Sequence, residues 1–179
     1  MGKVFIVTGG KAEGKTSFTT KLAGLLKQDR HFCISGFLSK GYWKNNQRSH
    51  YDLINIQNSR SRLLCEAKKT PGWIDGGPYS FDPAAIKKGE EIVAENIRNC
   101  QLIILDEIGK LELANKIWHP LLLKLLHKYN THLLLVARIA FVQEIIEKYE
   151  LKEAHILKIS QTTPESACQL ITSSILPES

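Results

Sequence analysis

The sequence contains few cysteines and no long apolar run. Its four cysteines include no C-x-x-C pair, so the sequence predicts neither a zinc knuckle nor a redox dithiol. No apolar run approaches the roughly 20 residues that a membrane span needs, which argues against a transmembrane helix and a membrane partner. No secretory signal is recognisable at the amino terminus. We therefore expect four free thiols in a cytoplasmic protein.

Charge of one sign is not concentrated anywhere in the chain. Lysine and arginine total 24 against 18 acidic residues, a net charge of +6, yet the local basic clusters are only pairs such as Lys68-Lys69. This balance is compatible with polyanionic ligands from nucleotides to RNA. Because the excess is dispersed, nucleic acid is a compatible partner that the sequence does not indicate. The six histidines have no metal-ligand spacing.

The composition is that of an ordinary globular protein. Hydrophobic residues make up 43% of the 179 residues and charged residues 23%, which suffices for a core without disulfides or metals. The sequence contains neither internal repeats nor low-complexity segments. We expect one domain over residues 1–179 and, by default, a monomer.

Short apolar runs alternate with amphipathic segments along the chain. The runs are typical of strands buried on both faces, and the predicted strands are residues 4–7, 102–105, 132–137 and 156–159. The segments predict helices beginning near residues 18, 83, 120, 141 and 164. Alternation of this kind predicts an α/β fold in three layers, with a mostly parallel central sheet flanked by helices.

Residues 33–80 interrupt this alternation. Residues 37–43 and 51–56 predict a β-hairpin after the first strand–helix unit, because the polar stretch between them contains asparagines that tolerate a tight turn. Residues 57–80 are rich in glycine, proline and serine and predict a long surface loop, in which residues 63–65 are the candidate for a short strand. Asp82-Pro83 predicts the start of the next helix.

Residues 9–16 match the phosphate-binding pattern G-x-x-x-x-G-K-[ST] at every fixed position. In such a loop the backbone N–H groups cradle phosphates, and glycines stand where a side chain would clash. Lys15 would supply charge to the β- and γ-phosphates, and the Thr16 hydroxyl would reach Mg²⁺. The flanking strand and helix are the context that supports the motif. The predicted nucleotide-binding residues here are Gly9, Gly10, Lys11, Ala12, Glu13, Gly14, Lys15, Thr16 and Ser17.

The apolar run 102–105 ends in two carboxylates, the form of a Walker B element. Asp106 would hold Mg²⁺, directly or through a water, and it joins the predicted nucleotide-binding residues. Glu107 would face the γ-phosphate and orient or deprotonate the attacking water. Residues 106–109 also fit D-x-x-G, in which the Gly109 N–H contacts the γ-phosphate. A simple turn role for Gly109 is equally compatible with the sequence.

Charge that develops on a transferred phosphoryl group requires an added cation. Arg138 follows a predicted strand and is the candidate charge stabiliser. The further options are Lys11, Arg60, Arg62 and Arg98. Asn115-Lys116 is not followed by the aspartate of a guanine-specific motif, which disfavours a Ras-like GTPase. Four aromatic residues either stack on a ligand or pack against the core: Tyr42, Trp43, Trp73 and Tyr79.

Several segments follow one another along the chain in an order that is typical of one family. They are the P-loop at 9–16, Gly36-Phe37, Tyr51-Asp52-Leu53, residues 77–82 before a helix, and residues 105–112. The last segment, L-D-E-I-G-K-L-E, differs from the signature D-E-I-G-K-M-E by leucine for methionine. Over essentially its whole length the chain resembles the small THEP-type nucleoside-triphosphatase family.

The resemblance implies a RecA-like P-loop fold and Mg²⁺-dependent hydrolysis of ATP, GTP and other nucleoside triphosphates. It implies Lys15 and Glu107 as catalytic residues and Thr16 and Asp106 as the residues that serve Mg²⁺. Two departures from the family's pattern stand out. Residues 10–13 carry a cation and an anion where Pro-Gly-Val-like residues are common, and residues 138–140 replace a turn with proline.

Two other functions stay open at this point. A P-loop kinase would transfer the γ-phosphate to a small molecule, a nucleoside or an RNA end, with the loop at 57–80 holding the acceptor. A nucleotide-gated binding module would turn over slowly and present the hairpin to a partner. A water-orienting carboxylate such as Glu107 is less needed in a pure sensor.

Overall fold

A computed structural model describes residues 2–129 and 131–176. Its strands are β1 (Val4–Gly9), β2 (Ile34–Lys44), β3 (Gln47–Asn55), β4 (Ser61–Glu66), β5 (Ile74–Asp75), β6 (Ser80–Phe81), β7 (Leu102–Ile108), β8 (His132–Arg138) and β9 (His155–Lys158). Its helices are α1 (Lys15–Leu26), α2 (Pro83–Asn96), α3 (Lys110–Leu113), α4 (His119–Lys128), α5 (Ile139–Lys148) and α6 (Pro164–Ile175).

The described strands form one sheet in the order β5-β6-β4-β3-β2-β7-β8-β1-β9. Strands β2, β7, β8, β1 and β9 run parallel to one another. The hairpin β2–β3 extends the sheet with antiparallel strands on one side. The predicted parallel sheet with a hairpin after the first strand–helix unit is therefore confirmed. In the parallel part, β1, β7 and β8 all end at the same edge.

Alternate residues of the central strands belong to two separate apolar cores. Ile6 and Leu105 pack in the core that contains α2, α4 and α5. Val7 and Ile104 pack in the other core, with α1 and α6. Because successive side chains of a strand point to opposite faces, a run that is apolar at every position is covered by helices on both sides. The three-layer prediction is confirmed.

The hairpin and the helix caps follow from local sequence. Asn45 and Asn46 connect β2 to β3 and both have positive φ angles, 50° and 58°, as a two-residue hairpin turn requires. The Asp82 side chain accepts a hydrogen bond from the Ala84 N–H at 2.9 Å, which confirms it as the cap of α2. Thr163 caps α6 by accepting from the Ser166 N–H at 3.2 Å.

Residues 57–80 are a loop only in part. The candidate strand at residues 63–65 is confirmed within β4, whereas β5 and β6 were not predicted. Strand β4 pairs with β3, and the short β6 pairs with β4. Leu64 and Cys65 are buried, so these pairings are held by the core rather than by local preference. Strands of two residues, such as β5 and β6, are too short to produce a readable period in the sequence.

The expectation of four free thiols is wrong for one pair. Cys33 and Cys100 form a disulfide, and Cys65 and Cys168 are free. The two bonded cysteines lie just before β2 and β7, which are neighbours in the sheet although 67 residues separate the cysteines. Sheet adjacency of this kind cannot be read from cysteine spacing. None of the helices within residues 2–129 and 131–176 combines the length and the apolar character needed to cross a membrane.

Candidate functional site

The candidate site lies at the edge of the sheet where β1, β7 and β8 end. Strand β1 ends at Gly9, where the P-loop begins, and Gly9 is the register partner of Arg138 at the end of β8. Asp106 and Glu107 lie near the end of β7. Ligands of open α/β sheets bind at the carboxyl ends of the strands, so the topology brings the sequence-predicted residues to the expected place.

The P-loop leads directly into α1. Gly14 precedes the helix with a φ of 91°, a left-handed conformation that glycine adopts without the steric cost of a Cβ. No side chain caps the start of α1. Its first backbone N–H groups therefore have no side-chain acceptor, and such a helix terminus is a favourable place for an anion.

Lys15 is a buried ammonium within the loop, with 7% of the residue exposed. Its Nζ donates to the Gly10 carbonyl at 2.6 Å. Burial lowers the pKa of Lys15, the Glu107 carboxylate raises it, and Arg138 lowers it. A phosphate placed against Nζ would add the negative charge that a desolvated ammonium lacks.

Glu13 gives the unusual loop sequence a structural consequence. Its Oε2 accepts a hydrogen bond from the Gly10 N–H at 2.6 Å. The N–H groups of a P-loop bind phosphate, and the Glu13 carboxylate already accepts a hydrogen bond from one of them. Glu13 and a bound phosphate would compete for that donor.

Asp106 is a buried carboxylate, 1% exposed, at the centre of the site. Its Oδ2 accepts from the Thr16 hydroxyl at 2.9 Å and from the Ser39 N–H at 3.0 Å. Its Oδ1 accepts from the Glu107 N–H at 2.8 Å. Burial raises the pKa of Asp106, and the Glu107 carboxylate beside it raises that pKa further. A cation at this carboxylate would favour its ionised form.

The oxygen atoms around Asp106 fit a small hard cation. Thr16 and Asp106 are hydrogen-bonded to each other, and the Ser39 hydroxyl is buried without a partner among the described residues. Mg²⁺ is bound through one or two protein oxygens together with substrate phosphates and water. The described residues contain no group of three or more His, Cys, Asp or Glu side chains arranged for a metal.

Glu107 adopts a backbone conformation that favours glycine. Its φ is 61°, at the point where the pairing between β7 and β8 shifts register between Leu105 and Ile108. For a residue with a Cβ the left-handed region costs about 1–2 kcal/mol, and such outliers cluster at functional sites. The bulge takes Glu107 out of the regular ladder, where it lines the cavity beside the P-loop.

That cavity, here called the P-loop cavity, has a volume of about 900 Å³. The predicted residues along its wall are Lys11, Ala12, Gly14, Lys15, Thr16, Ser17, Glu107 and Arg138. The structure thus brings Arg138 together with Lys15 and Glu107. Hairpin residues that sequence reasoning missed also line it: Ser39, Lys40, Gln47, Arg48 and Tyr51. No local signal distinguished Ser39, because β2 also contains the polar residues Ser35 and Lys40.

Several sequence candidates lie elsewhere. Gly109 does not line the P-loop cavity, and its N–H donates to Glu112 Oε2 at 2.8 Å, an arrangement that fits a turn. Contact of Gly109 with a γ-phosphate stays a prediction. Arg62 forms an ion pair with Asp82 at 3.2 Å, and neither Arg60 nor Arg98 lines the cavity.

Comparison with known proteins places this geometry in context. A family model described as NTPase matches residues 4–172. Nucleoside-triphosphatase THEP1 of Saccharolobus solfataricus is 28% identical over 62% of each chain. The protein of the same name from Methanocaldococcus jannaschii is 27% identical over 64% of this chain and 65% of its own. The matched region is less than two thirds of the length of either relative.

Two solved structures have the same fold. THEP1 from the hyperthermophile Aquifex aeolicus superposes with a TM-score of 0.70 at 21% identity, covering 97% of this chain and 99% of the other. The solution structure of a human cancer-related nucleoside triphosphatase gives a TM-score of 0.69 at 19% identity, covering 97% of each chain. At these identities the likeness concerns the fold alone.

The strain at Glu107 predicts a difference between two substitutions. Glu107→Gly and Glu107→Ala remove the same carboxylate and differ by one Cβ. We expect the glycine variant to be more stable by about 0.5–1 kcal/mol, because the left-handed penalty exceeds the entropy that glycine loses on folding. Urea unfolding without nucleotide measures the difference. An alanine variant as stable as the glycine variant would contradict the strain.

Proposed function

This chain belongs to the family of THEP-type P-loop nucleoside-triphosphatases, and we propose that it hydrolyses nucleoside 5′-triphosphates to the diphosphate and orthophosphate. The observation that carries the proposal is the hydrogen bond of 2.9 Å between Thr16 of the P-loop and the buried Asp106. It joins the phosphate-binding and cation-binding halves of the site. The names of the curated relatives support the same reaction. The proposed substrates are ATP, GTP, CTP and UTP.

The P-loop would hold the triphosphate. The uncapped N–H groups at the start of α1 and the Lys15 ammonium would bind the β- and γ-phosphates. Gly10 would exchange Glu13 for a phosphate oxygen. In both cases a phosphate oxygen would replace an internal hydrogen-bond acceptor, Glu13 for the Gly10 N–H and the Gly10 carbonyl for Lys15 Nζ.

Thr16 and Asp106 would hold Mg²⁺, which neutralises charge on the phosphate oxygens when bound. The Ser39 N–H keeps Asp106 Oδ2 in position from the neighbouring strand. The unpartnered Ser39 hydroxyl would accept or donate a hydrogen bond within the hydration sphere of the ion. This supports Ser39 as a positioning residue that the sequence alone did not identify.

Glu107 would act as the general base. Its carboxylate would orient a water toward the γ-phosphorus and accept the proton that the water releases. Arg138 would stabilise the charge on the transferred phosphoryl group, because it lines the same cavity as Lys15 and Glu107. Residues 1–179 would act as one domain, since β1 pairs with β9 across the length of the chain.

Glu107→Gln should separate binding from turnover. The variant keeps the size of the side chain but cannot accept the proton, so we expect a loss of about 10²–10⁴ in kcat with nucleotide binding retained. Orthophosphate release and the affinity for a fluorescent ATP analogue measure the two effects. Glu144→Gln, an exposed position on α5, is the matched control. If Glu107→Gln turned over as fast as the control, Glu107 would not be the general base.

Ser39→Ala should weaken the metal site without unfolding the protein. Loss of one hydrogen bond is worth about 0.5–1.5 kcal/mol, so Mn²⁺ affinity in the presence of a non-hydrolysable ATP analogue should fall by about 2- to 10-fold. Electron paramagnetic resonance of free Mn²⁺ measures this without turnover. Thr131→Val is the control, because it removes another buried, unpartnered hydroxyl before the start of β8. Equal Mn²⁺ affinity in both variants would contradict the role of Ser39.

A further inference from the structure

A second cavity adjoins the P-loop cavity. It measures about 220 Å³ and is here called the inner cavity. The two cavities share five wall residues: Tyr51, Pro78, Tyr79, Glu107 and Arg138. Glu107 and Arg138 therefore lie at the junction between the proposed phosphate site and the inner cavity.

The rest of the inner cavity has an apolar and largely aromatic wall. Leu64, Phe81, Leu111, Trp118 and Phe141 contribute to it from five different elements or their flanks. The inner cavity therefore forms only when these elements pack together, among them the strands β4 and β6, which the sequence did not predict in full.

The anion in this wall is already satisfied. Glu112 is 2% exposed, its Oε2 accepts from the Gly109 N–H at 2.8 Å, and its Oε1 accepts from the Trp118 N–H at 3.2 Å. It therefore has no strong need of a cationic ligand. Lys110 also lines the inner cavity, but it is exposed, and the remaining charged wall residues, Glu107 and Arg138, lie at the junction. The rest of the wall therefore fits an uncharged molecule with an apolar body.

Water as the only acceptor does not account for such a chamber. Hydrolysis requires room for one water beside Glu107, whereas protein interiors are otherwise close-packed and apolar cavities hold water poorly. Sites for drug-sized ligands begin at about 300 Å³. A space of about 220 Å³ is suited to a smaller molecule built on one ring.

We propose that the inner cavity binds a small uncharged alcohol with a single-ring apolar body, whose hydroxyl group accepts the γ-phosphoryl group in place of water. The inference rests on the proposed function, because the donor nucleotide is held by the same P-loop. The alcohol oxygen forms a bond to the γ-phosphorus as the bond from that phosphorus to the β–γ bridging oxygen breaks. The nucleoside diphosphate leaves, and the hydroxyl proton passes to the Glu107 carboxylate.

This arrangement gives the strained position of Glu107 a second consequence. A carboxylate at the junction serves whichever hydroxyl lies beside it, from water or from an alcohol in the inner cavity. An occupied cavity displaces the water, so ester formation and orthophosphate release compete for the same nucleotide.

The test uses benzyl alcohol, 2-phenylethanol and cyclohexylmethanol as probes with ATP and Mg²⁺. Phosphorus NMR should detect the phosphate ester of at least one probe in the wild type. Leu111→Trp fills the inner cavity from α3, and Phe141→Trp fills it from α5. We expect either variant to lower ester formation at least 10-fold and to keep orthophosphate release from ATP alone within about twofold. Leu113→Trp, half-buried on α3 but outside the cavity wall, is the matched control.

Binding is measured separately from turnover. Saturation-transfer proton NMR with a non-hydrolysable ATP analogue should detect a bound probe in the wild type and in Leu113→Trp, and not in the filled variants. Absence of binding for all three probes, or binding without any ester, would overturn the acceptor role. A wild type that releases no orthophosphate from ATP alone would instead contradict the proposed hydrolysis. Even then, probe binding that is lost in Leu111→Trp and Phe141→Trp would support the inner cavity as the binding site.

Discussion

The hydrogen bonds to the buried carboxylate of Asp106 join three parts of the chain that are far apart in sequence. Thr16 donates from the P-loop, Ser39 from β2, and Glu107 from β7 itself. A buried carboxylate is costly unless it is hydrogen-bonded or paired with a cation, and the fold supplies the hydrogen bonds. Burial and the neighbouring Glu107 nevertheless raise the Asp106 pKa, so a cation bound beside this carboxylate would favour its ionised form.

The charged side chains of the site suit a triphosphate that binds together with a divalent cation. Lys15 and Arg138 bring positive charge to a cavity that also contains Glu107, while Asp106 lies behind Thr16. The triphosphate would neutralise the two cations, and Mg²⁺ would neutralise the carboxylate and the phosphate oxygens.

Local motifs made the P-loop and the acidic strand end predictable, because the spacing of Gly14, Lys15 and Thr16 is set within one turn of chain. The apolar runs likewise predicted the parallel sheet. Ser39, the bulge at Glu107 and the pairing of Cys33 with Cys100 depend on which strands become neighbours, and no short segment encodes that. The inner cavity was unpredictable for the same reason, since its wall needs β4 and β6 in place.

The proposed hydrolysis depends on Lys15, which would bind the phosphates of the nucleoside triphosphate. The most direct measurement is orthophosphate release from ATP, GTP, CTP and UTP with Mg²⁺, by the wild type, Lys15→Ala and Lys21→Ala. Lys21 is an exposed lysine on the same helix and serves as the control. We expect orthophosphate release from all four nucleotides by the wild type and by Lys21→Ala. In Lys15→Ala the rate of release should fall by about 10- to 100-fold. Undiminished release by Lys15→Ala, or no release by the wild type from any of the four, would contradict this proposal.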